Sequence, residues 1–151
     1  MRRAQLMVVA ASMAVACTHR PSPATTPEPV RGAVGDTVRV IVNHVRNDRR
    51  DEFERFLHET LYPAMVQAAP TDSITARQMQ RARVLRPTTM SADSTWSYIF
   101  IVDPVVSSAS YSFPRLFAKV FAPAKADTAM QSFRESLARP SETYLLVNEH
   151  W

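Results

Sequence analysis

The 151-residue sequence carries two glycines and one cysteine, and each scarcity excludes a class of chemistry. Both glycines, Gly32 and Gly35, precede the first segment that reads as a strand. The folded part therefore has none, which rules out glycine-rich phosphate loops and dinucleotide-binding fingerprints. A single cysteine forms no internal disulfide, and no His-Glu-x-x-His or paired-cysteine pattern is present, so a zinc site of familiar spacing is absent and no cofactor is expected. Ser73, Ser91, Ser94 and the serines near Tyr111 lack a Gly-x-Ser-x-Gly context, which leaves hydrolase chemistry without support. No catalytic residue can be assigned, and the balance leans away from an enzyme. Nor is any apolar run long enough to span a bilayer, since the longest, Leu6 to Ala16, is too short.

That run has its own meaning. Arg2 and Arg3 precede it, no acidic residue occurs before Glu28, and the layout is that of a secretory leader over residues 1–16. It ends in Ala14-Val15-Ala16-Cys17, which resembles the bacterial lipobox, where small residues precede a cysteine that is acylated and becomes the mature N-terminus. Cys17 is thus the expected lipidation site; the alternative is a plain secretory leader cleaved nearby. Thr18 is not the aspartate that resembles an inner-membrane retention signal, so the expected location is the cell envelope, lipid-anchored at the outer membrane and facing the periplasm.

Removing Arg2 and Arg3 from the 18 basic residues leaves 16 against 14 acidic ones, a formal charge of +2. Nucleic acid is therefore not an expected partner. Residues 17–36 are rich in Pro, Thr, Ser and Ala and read as a tether; at about 3 Å per residue it could hold a domain up to roughly 50 Å from a membrane. Residues 37–151 are the size of one small domain.

Val38 to Val45 is dense in β-branched residues and predicts a first strand. Phe53, Phe56, Leu57, Leu61, Ala64, Met65 and Ala68 then recur at helical spacing, with Asn47 or Asp48 as cap and Pro63 as a kink. Gln78 to Arg86 predicts a second strand and Ser94 to Asp103 a third, joined by a turn over residues 87–93. Phe113, Leu116, Phe117, Val120 and Phe121 form a second helical stripe, continued by Met130, Phe133 and Leu137 after a break at Pro123. Glu142 to Trp151 closes the domain as a strand. The order βαββαβ is that of a ferredoxin-like α+β fold, a four-stranded antiparallel sheet with its helices on one face.

Alternation divides the strands into two phases. Val38, Val40, Val42, Ala82, Val84, Ile99, Ile101, Leu145 and Val147 are small and aliphatic and are expected under the helices. Ile41, Asn43, Arg81, Arg83, Leu85, Trp96, Tyr98, Phe100, Tyr144, Leu146, Asn148 and His150 are expected on the bare face, where so large an apolar patch implies an interface. Asn43, Arg83, Tyr98, Asn148 and His150 converge in this reading into a candidate small-ligand site. Arg83 is alternatively paired with Asp103 or Glu149, and His44 is expected on the helix side.

With Val42-Asn43-His44-Val45 before a charged helix, Leu61-Tyr62-Pro63-Ala64, and Tyr98 to Pro104, the segment 37–151 resembles the dimeric α/β-barrel superfamily, which includes antibiotic-biosynthesis monooxygenase-like, stress-responsive barrel and NIPSNAP-like proteins. The resemblance implies a homodimer with sheets face to face. It also implies an alternative function, a cofactor-free monooxygenase or a haem-handling enzyme. Some haem-degrading members use an asparagine, a tryptophan and a histidine around the porphyrin, and Asn43 is similar in placement to that asparagine. Trp96, however, starts its strand, and no histidine lies on the second helix. The favoured expectation is a membrane-tethered, dimeric binding or interaction module of the cell envelope.

Overall fold

The computed structural model describes residues 31–149. Four antiparallel strands, β1 (Thr37–Arg46), β2 (Ala82–Leu85), β3 (Thr95–Val102) and β4 (Glu142–Val147), lie in the order β2-β3-β1-β4. Helices α1 (Arg50–Arg55), α2 (Tyr62–Ala68), α3 (Ser73–Arg81), α4 (Phe113–Val120) and α5 (Pro123–Ser136) fill the two crossovers. The expected α+β, ferredoxin-like arrangement is present, and the four strands do not close into a barrel.

Pro63 shapes the first crossover by widening the helix ahead of it. Its ring would collide with the Glu59 carbonyl, one turn back, in a regular helix. Residues Phe56–Leu61 form a π-helical turn between α1 and α2, so that Pro63 falls in the first turn of α2. The wider turn sets the buried stripe, which steps by five residues from Phe56 to Leu61 and then by three to Ala64.

The expectation of a strand from Gln78 is corrected. Residues 78–81 complete α3, and β2 begins only at Ala82. Asp72 starts this helix, its Oδ1 accepting from the amides of Ile74 (3.0 Å) and Thr75 (3.3 Å). Gln78, Met79, Gln80 and Arg81 are all good helix formers, and this propensity carries the helix to Arg81.

The facing of the sheet is also corrected. Register places Ile41 opposite Phe100, Asn43 opposite Tyr98 and Val45 opposite Trp96. This aromatic phase packs under the helices: Tyr98, Phe100 and Val45 are buried with Phe53, Phe56, Phe117 and Phe133 in one core. The opposite row runs Tyr144, Val40, Ile101, Arg83. Val42, Ile99, Leu85 and Leu146 share that open side, which is aliphatic. Rings need the deeper space that helices on a sheet provide, whereas small branched side chains leave a flatter surface. The edge strands are therefore one residue out of step with the expected phases: Arg83, Leu85, Tyr144 and Leu146 lie with Val40 and Ile101, away from Tyr98.

Residues 31–36 are fastened to one end of the sheet. The Gly32 amide donates to Asp103 Oδ1 (2.8 Å), the Gly35 amide to the Asn148 carbonyl (2.9 Å), and the Asn148 amide to the Asp36 carbonyl (2.9 Å). Gly32 is required by close approach, because a Cβ there would lie 2.5 Å from Asp103 Oδ1 and 2.7 Å from Asn148 Nδ2. Gly35 is required by its backbone, which has φ of +87°.

Candidate functional site

Two hollows lie between the helices and the β2 side of the sheet. One, of about 370 Å³, is bounded by Ile41 and Phe100 below and by Phe113 and Leu116 of α4 above. The other, of about 460 Å³, is bounded by Leu57, Met79, Tyr98 and Glu54. Both are lined by Leu61, Met65, Ala82, Arg83 and Val84, so the two chambers adjoin, and together they are called the cleft. Its volume and apolar lining match a small-molecule site.

The polar groups on its walls are engaged with one another. Tyr98, buried under α1, donates through its hydroxyl to Glu54 Oε1 at 2.5 Å. Arg50 Nε (3.2 Å) and Arg86 Nε (3.3 Å) reach the same oxygen. Burial, seconded by the Glu54 carboxylate, pushes the Tyr98 phenol up to about 12. The hydrogen bond from Tyr98, with that from Arg50 and the nearby charge of Arg86, holds Glu54 below the usual carboxylate range. Arg50 stacks over the Trp96 ring at 3.8 Å, and the indole donates to Asn47 Oδ1 at 2.9 Å. In the other chamber, Gln78 Nε2 donates to the Ser110 carbonyl (3.1 Å), and the Tyr111 hydroxyl accepts from the Val106 amide (2.8 Å). Asp72 pairs with Lys119, which holds its carboxyl far below the ordinary value.

Of the five residues expected to converge, the four among the described residues are not brought together. Tyr98 and Arg83 both line the second chamber, but the Arg83 guanidinium lies 3.6 Å from Asp103 on the open side. Asn43 is buried beside Tyr98 without lining either chamber; its Oδ1 accepts from Ser141 (2.7 Å), and its Nδ2 has no partner in the structure. Asn148 sits at the tethered end, with its Nδ2 3.2 Å from Asp103 Oδ1. His150 and Cys17 lie outside the described residues.

Sequence reasoning missed a second polar cluster, centred on His44. This residue faces the open side, not the helices, because it stands directly opposite Ser97 on β3. Its Nδ1 lies 3.2 Å from Ser97 Oγ and its Nε2 3.1 Å from Glu142 Oε1. The order serine, imidazole, carboxylate is that of a nucleophile relay. Arg139, however, sets its Nη2 3.0 Å from both ring nitrogens. That guanidinium competes with Ser97 and Glu142 for the ring nitrogens that such a relay uses. Arg139 also pairs with Asp93 at 2.5 Å, and hydrogen bonds from Thr95 and Arg139 bring Asp93 down to about 2. The cluster ties the β2–β3 turn and the segment before β4 to the end of β1.

These depressed carboxylates set the acid limb of stability. Glu52, Glu54, Asp72, Asp93 and Glu142 all have native pKa values below their ordinary ones. Their contribution is present above the ordinary carboxylate range and is lost as pH falls through the native values. The melting temperature should therefore drop between about pH 4 and pH 2. Replacing Asp93 by Asn should flatten the part of that slope nearest pH 2 to 4, which thermal melts across the range will read.

Compared with known proteins, the chain matches no family model, no curated sequence and no solved structure.

Proposed function

We propose that the protein is a membrane-tethered, dimeric small-ligand-binding module of the cell envelope, with its ligand in the cleft between the helices and the β2 side of the sheet. The observation that carries this reading is the pair of adjoining apolar hollows of about 370 and 460 Å³ that share Leu61, Met65 and Val84 in their walls. Apolar walls around a hollow of this size give a bound apolar molecule dispersion contacts that the empty space lacks.

Two further features support the setting. The leader and Cys17 supply a lipid anchor, and residues 31–36 fasten the tether to one end of the sheet. The open sheet face, with Leu85 and Tyr144 each 46% exposed and Leu146 50% exposed, is an apolar patch that a second copy covers in the dimer.

Nile red, a neutral apolar dye, tests the cleft. Its fluorescence should rise on binding the wild type, and Met65→Trp, which adds bulk to the wall shared by the chambers, should weaken that binding by at least about tenfold. Circular dichroism should show the fold of this variant retained. Equal dye binding by the two proteins would remove the cleft as the site. Cys17→Ser should move the protein from the membrane fraction to the soluble one, and its retention in membranes would refute the anchor.

A further inference from the structure

Resting on the proposed cleft, we infer that its ligand class is a single-chain anionic amphiphile, an acyl chain ending in a carboxylate or phosphate head, with the head at the mouth beside Arg86.

The wall chemistry selects against polar ligand bodies. Thr75, Gln78 Nε2, Tyr98 and Tyr111, buried or half-buried along the cleft, already donate or accept within the protein, so a sugar or base with many hydroxyls or amides would find few partners there. Desolvating hydroxyls there without new hydrogen bonds is costly, whereas methylenes lose nothing. The space is divided into two adjoining chambers with common walls instead of one round cavity, a division that suits a long flexible ligand better than a compact one. Met65 and Met79 on those walls are unbranched and adapt to a flexible chain.

Charge fixes the head. Around the two chambers stand Arg83, Arg86, Arg115 and Lys119 against two carboxylates, Glu54 and Asp72. Lys119 is committed to Asp72, and Arg83 is drawn toward Asp103. Arg86 is different. Its side chain is 66% exposed, and it reaches only the Glu54 oxygen that Tyr98 and Arg50 also engage. Its guanidinium is therefore free to turn to an anionic head at little cost, and the exposed imidazole of His58 borders the same mouth. A guanidinium binds carboxylate or phosphate oxygens in a bidentate fork.

Displacement of Nile red from the purified full-length protein tests this. Laurate and lauroyl lysophosphatidylglycerol represent the two head chemistries, and dodecanol is the neutral control of similar chain length. At least one of the anions should displace the dye about tenfold more strongly than dodecanol. Arg86→Glu should erase that preference while leaving dodecanol unchanged, and Arg115→Glu should preserve it. Should Arg86→Glu disturb the fold, Arg86→Gln is expected to reduce the preference in the same direction. If Nile red binds but neither anion outcompetes dodecanol, or if Arg115→Glu and not Arg86→Glu removes the preference, the ligand class or its head position is overturned while the cleft stands. Failure of Nile red itself to bind would instead remove the cleft.

Discussion

Phe53→Ala should destabilise the domain by about 3–5 kcal/mol, enough to unfold much of a protein of ordinary marginal stability. Phe53 is fully buried at the centre of the core. Its ring lies 4.8 Å from Tyr98, 6.1 Å from Phe133, 6.3 Å from Phe56 and 6.4 Å from Phe100. Truncation removes one ring from four such pairings and leaves a void among stiff neighbours that cannot collapse to fill it. Chemical denaturation followed by tryptophan fluorescence will measure the loss, with Trp96 at the sheet edge of the same core as reporter. A cost below about 1 kcal/mol would mean that the aromatic phase does not form the interior.

Ile101→Asp should separate the proposed dimer into folded monomers. Ile101 lies mid-sheet on the open side, between Val40 and Arg83. A carboxylate buried there against an aliphatic twin costs at least about 3 kcal/mol, roughly a hundredfold or more in Kd. Tyr98→Asp, three positions away along the same strand and on the opposite face, should instead unfold the protomer, because its carboxylate would face Glu54 and the Phe53 ring. Sedimentation velocity on the two variants distinguishes a dispersed monomer from an unfolded chain. If Ile101→Asp sediments as the wild type does, the open face is not the interface.

The order of elements was legible because β1, the first helical stripe and Trp96 to Val102 carry strong, unbroken patterns. The facing of the sheet was not. In β1 both phases are apolar, with Val40 and Val42 alternating with Ile41 and Val45, and in β3 Ile99 and Ile101 alternate with Tyr98 and Phe100. Polarity alternation carries no sign when both faces repel water, and only the depth available to a ring decides. The cleft was hidden for a related reason. Its outer wall is α3, whose four last residues read as strand because Ala82 to Leu85 continue them without a proline or glycine to mark the boundary. The His44 cluster joins residues up to 98 positions apart, and no local pattern announces such a meeting. Asn43, Arg83, Tyr98 and Asn148 were singled out as polar groups among apolar ones, but the one-residue offset of the edge strands places Arg83 and Asn148 across the sheet from Asn43 and Tyr98.

Native mass spectrometry of the purified protein in the presence of Nile red tests the functional reading most directly, since stoichiometry and occupancy are read from one mass. The expected species contains two chains and one dye molecule per chain. A single chain without dye, at concentrations where the wild type remains folded, would contradict both the pairing of open faces and the cleft.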